Sequence, residues 1–216
     1  MKNKSHYITL FLFALMLFTM GIWIVRIVNG NVPYVDQWTR ELVTMLDDSW
    51  VYTFFRAVTE FGSQSFLLPF TIIMALVLWW LFKDWIPALI FSGGTLISHL
   101  FNVLIKEIIE RERPSVLEAA NAEGYSFPSG HAMIAMVCYG LLAYFLVKKL
   151  TSSRAMFFTQ LFFAFIVFLI GISRYFINVH YLTDVASGFF IGFICLIGFI
   201  YLYEIIQKLR SNTFNK

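Results

Sequence analysis

Charge is scarce in this chain. Asp, Glu, Lys and Arg make up 13% of its 216 residues, whereas 59% are hydrophobic and 25 are Phe. That charge is about half the usual share of soluble domains. A water-soluble globule of this composition would expose too much apolar surface, so the chain is expected to be an integral membrane protein. Cysteine is scarce too. Cys138 and Cys195 stand in separate apolar stretches without a C-x-x-C spacing, which argues against redox chemistry and predicts two free buried thiols. There is no internal repeat, no low-complexity tract and no sign of a second domain, so residues 1–216 are expected to form one membrane-embedded domain.

What the chain has in place of charge is long uncharged runs: Ile8 to Val25, Phe66 to Phe82, Ile86 to Ile105, Ala132 to Val147, Ala155 to Ser173 and Val185 to Tyr203. Their lengths approach the roughly 20 residues needed to cross a hydrocarbon core of about 30 Å, and flanking residues can supply the rest. The expected fold is an all-α bundle of six transmembrane helices. The first run follows Lys2 and Lys4 as a signal peptide would, yet no small-x-small cleavage pattern follows it in Ile27-Val28-Asn29-Gly30, so it is expected to be a retained anchor. Between the first two runs, residues 29–65 carry Trp38, Leu42, Met45, Leu46, Trp50, Tyr52, Phe54 and Phe55. This pattern predicts short interfacial helices at headgroup depth, serving as an anchor or as a lip that guides a lipid.

Orientation follows from the short connections. With the N-terminus inside, the inner segments hold Lys2, Lys4, Lys83, Lys148, Lys149, Arg154, Lys208, Arg210 and Lys216, whereas the outer ones hold Arg40, Arg56, Lys106, Arg111, Arg113 and Arg174. Setting aside Lys106, Arg113 and Arg174, which belong to the polar clusters below, the cationic bias is inside. Both termini are therefore expected in the cytoplasm of a multi-pass cell-membrane protein.

Three polar clusters interrupt the apolar sequence. Lys106-Glu107-Ile108-Ile109-Glu110-Arg111-Glu112-Arg113-Pro114 closes the third run, Pro128-Ser129-Gly130-His131 opens the fourth, and Ser173-Arg174 closes the fifth, followed by His180 and Asp184. The six-span topology brings all three to the extracytoplasmic face. Counting in sevens places His99, Lys106 and Arg113 on one helical face, with Asn102 beside it. Pro114 disfavours a helical Arg113, so the third helix is expected to end near there, with Glu107, Glu110, Arg111 and Glu112 as solvated companions. His99 is expected to be a hydrogen-bonded interior histidine, with a headgroup contact or proton relay as the alternative. Gly93-Gly94 marks close helix packing. Gly188-x3-Gly192 fits packing within the bundle or dimerisation, and the oligomeric state stays open.

Residues 115–126 are polar and aperiodic, predicting a loop over the site. Ser129 is placed to cap the fourth helix, whose free N–H groups would bind phosphate readily. His180 and Asp184 lie four apart, so Asp184 can accept from one ring nitrogen and leave the other facing substrate. A zinc site built from two histidines and an aspartate is the rival, but Lys106, Arg113 and Arg174 would surround a divalent cation unfavourably. No metal and no cofactor are expected.

The spacing K-x6-R-P, then P-S-G-H, then S-R-x5-H-x3-D resembles the three-part signature of the type 2 phosphatidic acid phosphatase superfamily, with every fixed position filled. The resemblance implies a metal-independent membrane lipid phosphatase. His180 would attack phosphorus, Asp184 would fix its tautomer, and His131 would protonate the leaving oxygen and then activate water. Lys106, Arg113, Arg174, the Ser129 hydroxyl and the Gly130 amide would hold the phosphate oxygens. The similarity is greatest to compact bacterial members acting on phosphatidylglycerol phosphate, undecaprenyl pyrophosphate or phosphatidic acid. The expected partners are the bilayer and a membrane phospholipid or polyprenyl phosphate, with no nucleic acid. The alternative is a non-catalytic lipid-binding or transport protein that keeps a phosphate cradle.

Overall fold

The computed structural model describes residues 2–46, 49–114 and 124–214, and among them there are eight α-helices and one short 3-10 turn. Helix α1 spans Lys2–Val28, α2 Tyr34–Thr44, α3 Trp50–Val58, α4 Gln64–Phe82, α5 Trp85–Ile109, α6 Gly130–Val147, α7 Ser153–Phe176 and α8 Leu182–Phe214, with the 3-10 turn at Thr59–Gly62. Six of them (α1, α4, α5, α6, α7 and α8) are long and apolar enough to cross a membrane. The chain is an all-α, multi-pass membrane protein.

Each membrane helix starts ahead of its uncharged run, and α1, α5, α7 and α8 also continue beyond its end, because capping and polar flanks extend them. Ser63 accepts from Phe66 N–H and Asp84 from Ile86 N–H, which starts α4 and α5 ahead of the first apolar residues. At the far end, α8 runs eleven residues past Tyr203 as a polar-flanked extension. Helix α5 nonetheless stops short of Arg113. Glu110 takes a left-handed conformation (φ 52°) and its N–H closes on the Lys106 carbonyl at 2.9 Å, so Arg111 and Arg113 leave the helix. Lys106 therefore shares a helical face with His99, and Arg113 does not.

The buried helix is α6, and α5, α7 and α8 surround it. Between helices in lipid there is little hydrophobic drive, so close packing of small residues holds the bundle together. A Cβ on Gly188 would lie 2.6 Å from the Ser129 carbonyl, and one on Gly192 2.7 Å from that of Met133. This glycine pair thus seats α8 against α6 within one chain. Gly94 likewise meets Leu141 and Phe199, whereas Gly93 faces open space and takes no part in packing. Cys138 is buried on α6 and Cys195 half-buried on α8, both as free thiols. Helix α1 is peripheral, with none of its apolar window buried by protein.

The 29–65 segment forms α2, α3 and the 3-10 turn. Along α2, Tyr34, Trp38, Leu42 and Met45 are exposed on one face, while Asp36 and Val43 are buried on the other, against the start of α8. Tyr175 Oη on α7 donates to the Thr39 carbonyl at 2.7 Å and fixes the helix there.

Candidate active site

The three polar clusters converge at one end of the bundle around a cavity of about 1020 Å³. Its polar wall comes from Lys106 at the C-terminal end of α5, Arg113 just beyond it, Gly130 and His131 at the start of α6, Arg174 at the end of α7, and His180 ahead of α8. Its apolar wall comes from α4 and α5, including Leu67, Leu68, Ile72, Leu96 and Val103. A charged mouth therefore continues into a lipid-like limb.

Each cation is aimed by a backbone carbonyl or a hydroxyl. Lys106 Nζ donates to the Tyr125 carbonyl at 2.7 Å. Arg113 Nε donates to the Gly124 carbonyl at 2.9 Å, Nη2 to Tyr125 at 3.2 Å, and Nη1 to Val179 at 3.0 Å. Gly124, at φ 66°, supplies the turn that brings these carbonyls round. Arg174 is buried, and its Nη1 donates to Thr59 Oγ1 at 3.0 Å. Burial draws Arg113 below its ordinary value, with Asp184 opposing the shift.

His180 lies at the meeting point of these groups. Arg113 Nη1 approaches its Nε2 at 3.0 Å, and a guanidinium only donates, so Nε2 accepts and the ring proton resides on Nδ1. Nδ1 lies 3.4 Å from Asp184 Oδ2, close enough for attraction but without a hydrogen bond between them. Burial, and then the charges of Arg113, Arg174 and Lys106, hold the His180 imidazole well below the ordinary histidine value, so at neutral pH it keeps a free electron pair on Nε2. The His180–Asp184 contact forms across the start of α8, because the helix begins at Leu182 and not at His180.

Asp184 is fully buried and heavily bonded. Its Oδ1 accepts from Arg111 Nη1 at 2.5 Å, and its Oδ2 accepts from Tyr181 N–H at 2.9 Å and from the Ser126 hydroxyl. Arg111 continues outward to Asp36 Oδ2 at 2.7 Å and Thr183 Oγ1 at 2.8 Å. The expectation of a solvated Arg111 is thus wrong: it is 7% exposed. Flanked by Glu110 and Glu112, it looks in sequence like one more surface charge, and nothing local announces Asp36 as its partner.

Ser129 occupies the N-cap position of α6 without its hydroxyl capping the helix, and it lies outside the cavity lining, with its Oγ buried. Its N–H donates instead to the Asp184 carbonyl at 3.0 Å, tying α6 to α8. Gly130 does line the cavity, and a Cβ there would lie 2.8 Å from Asn102 Oδ1. His99 is half-buried along the same cavity, about two turns below Lys106, and makes no hydrogen bond among the described residues. It is not the hydrogen-bonded interior histidine expected. The predicted loop over the site falls mostly on 115–123, outside the described residues.

The 3-10 turn also serves the site. A Cβ on Gly62 would lie 2.8 Å from the His131 ring, so glycine lets the imidazole sit against the turn while Thr59 holds Arg174. The Thr-Glu-Phe-Gly sequence carries only a weak turn signal, and no local pattern marks its partners His131 and Arg174.

An all-helical membrane bundle holding two imidazoles, a buried carboxylate and three cations around a lipid-like cavity is built to handle phosphate. Comparison with known proteins agrees. Residues 87–208 match the PAP2 superfamily model. The chain is 34% identical over 189 residues to phosphatidylglycerophosphatase B of Bacillus subtilis, covering 86% of this chain and 88% of that protein. It is 26% identical over 176 residues to dolichyldiphosphatase of Saccharomyces cerevisiae, covering 77% and 73%. Among solved structures, the transmembrane PAP2-type phosphatidylglycerolphosphate phosphatase of Bacillus subtilis superposes with a TM-score of 0.75 at 29% identity, covering 88% of this chain and 96% of that one. The chain belongs to the PAP2 superfamily. It is a membrane phosphatase.

Proposed function

We propose that the chain hydrolyses a lipid phosphomonoester or pyrophosphate without a metal, through a phosphohistidine on His180, at the extracytoplasmic face with both termini in the cytoplasm. The observation that carries this is the orientation of His180: Nδ1 toward Asp184, and Nε2 accepting from Arg113 at the wall of the cavity. A phosphate oxygen entering the site takes over the Arg113 donor and uncovers Nε2. Nε2 then attacks phosphorus in line, the bond to the lipid oxygen breaks, and His131, which takes up a proton from solvent as the phosphate anion enters beside it, gives that oxygen its proton. His131, now neutral, takes a proton from water as the water oxygen attacks phosphorus. The P–N bond breaks and inorganic phosphate leaves.

Lys106, Arg113 and Arg174 offset a phosphate charge of roughly −1.5 to −2, which a phosphomonoester carries near neutral pH. In phosphoryl transfer, positioning and charge stabilisation do most of the work. The Gly130 amide, at the first turn of α6, fits the same duty. Ser129 supports it through its backbone contact with Asp184 more than through its hydroxyl. The single membrane domain, the cationic bias of the opposite end and the exposed aromatic residues of α2 support the stated orientation.

The apolar limb suits lipid tails, and the site sits where a headgroup would reach it. The substrates we favour are phosphatidylglycerol phosphate, undecaprenyl pyrophosphate and phosphatidic acid, since the names of the two relatives span a glycerophospholipid and a polyprenyl diphosphate. The test is phosphate release by purified protein in detergent with EDTA, comparing these lipids, with His180→Ala as control. Release is expected in EDTA and its loss in the variant. Activity abolished by EDTA and restored by a divalent ion would sink the metal-free mechanism, and near-normal release by the variant would remove His180 as nucleophile.

A further inference from the structure

We propose that Asp36 and Arg111 are positioning residues for this reaction, holding Asp184 against His180 from behind the cavity. The inference rests on the phosphohistidine reading of His180. Neither side chain lines the cavity, so their action passes through Asp184.

The linkage is continuous and buried. Asp36 Oδ1 accepts from Thr183 N–H at 3.0 Å and its Oδ2 from Thr183 Oγ1 at 2.6 Å, so a carboxylate borrowed from α2 caps the first turn of α8. The Arg111 guanidinium joins Asp36 to Asp184 at 2.7 and 2.5 Å, with side-chain exposures of 6% for the arginine and 0% for both acids. Its face stacks on the Tyr181 ring at 3.9 Å, and its carbonyl accepts from Ser126 N–H at 2.7 Å. Ser126 in turn bonds Asp184 Oδ2. Every partner that orients the carboxylate is therefore fixed by Arg111 or lies next to it in the same turn.

The alternating charges, Asp36 negative, Arg111 positive and Asp184 negative, place one net negative charge behind His180. The other charged or titratable groups around His180 are Lys106 from α5, Arg113 beyond it, His131 from α6 and Arg174 from α7, with Arg56 and Glu60 beyond Arg174. Removing Arg111 makes the surroundings of His180 more negative and favours its protonation. Removing Asp36 does the reverse. A purely structural strut would not give these opposite signs.

The experiment compares Asp36→Asn, Arg111→Gln, Arg111→Lys and the double variant D36N/R111Q in detergent. For folded protein, R111Q is expected to lower kcat on the order of 30-fold with little change in KM. R111K, which keeps the charge and loses the planar fork, should recover part of that. The acid limb of the rate profile should move up by on the order of half a pH unit in R111Q and down in D36N, with the double variant near the parent. The same order is read without turnover from the pH dependence of diethyl pyrocarbonate acylation of His180, followed by peptide mass spectrometry. If the parent releases no phosphate from any lipid tested, the substrate reading fails and the acylation series still decides this one. Variants that lose only folded yield, with kcat per folded molecule and both pH readouts unchanged, would overturn the proposal.

Discussion

The two ends of the bundle both carry ion pairs, but only the site end buries any of them, beside an exposed Arg56–Glu60 pair at 28% and 50%. At the site end, Arg111, Asp36 and Asp184 have side-chain exposures of 6%, 0% and 0%. At the opposite end, Lys148 pairs with Glu204 at 34% and 50%, and Arg210 with Asp84 at 43% and 21%. The exposed pairs keep most of their hydration, so each is worth ~0–1 kcal/mol. The buried set has lost its water and relies on hydrogen bonds that fill each oxygen, so removing one member leaves a charge uncompensated. One end therefore holds its charges rigidly for chemistry. The other presents them to the interface, with Lys148 also lying 5.0 and 4.9 Å from the Tyr144 and Tyr203 rings.

The largest test of this contrast changes one residue type at both ends. Arg174→Gln removes a buried guanidinium held by Thr59 and facing the cavity, and kcat for phosphate release is expected to fall by about 10²–10³, the cost of losing one preorganised charge donor. Arg210→Gln removes an exposed guanidinium of similar size and should leave kcat within about twofold. Assays on detergent-purified variants normalised to folded protein check both. Equal losses would mean that burial does not separate the two ends.

Much of this contrast was legible in the sequence. The six spans follow from run length, and Lys106, His131, Arg174 and His180 announce themselves because a lipid-exposed helix cannot easily hold them. Arg113 was legible by spacing, although not its setting: the left-handed turn at Glu110 is a choice of conformation that no periodicity encodes. Arg111 stayed hidden because its meaning depends on Asp36, 75 positions away in the short helix α2. Gly62 and Thr59 stayed hidden for the same reason, since their partners are His131 and Arg174 on other helices. Local pattern reports which residues are costly to bury, whereas tertiary pairing decides which of them are buried together.

A second test uses pH and acts only at the site end. The folded His180 value is depressed by burial and by Arg113, Arg174 and Lys106. The unfolded imidazole binds its proton near the ordinary value of about 6.5, and the folded one does not. Stability from this group is therefore complete above about pH 6.5 and is lost as pH falls from there toward the folded value. Melting in detergent should show a lower Tm at pH 5.5 than at 7.5, and His180→Asn should flatten part of that slope. The rate should also follow a bell, with its acid limb, set by His180, below the ordinary histidine value. A rate independent of pH from 5 to 9, with the chemical step limiting, would count against two imidazoles acting in turn.

The smallest expected effect lies in the exposed pair at the opposite end. Glu204 accepts from both Lys148 and the Tyr144 hydroxyl. Its surroundings are largely open, so most of that pairing is screened, and Glu204→Gln retains an acceptor for both donors. The variant should melt within about 1 kcal/mol of the parent and release phosphate at the parent rate. High salt should narrow even that difference, because at about 1 M the Debye length shortens to roughly 3 Å. A larger loss, insensitive to salt, would show that this pair is sealed by lipid, and the contrast between the two ends would then rest on the bilayer's depth and not on protein burial.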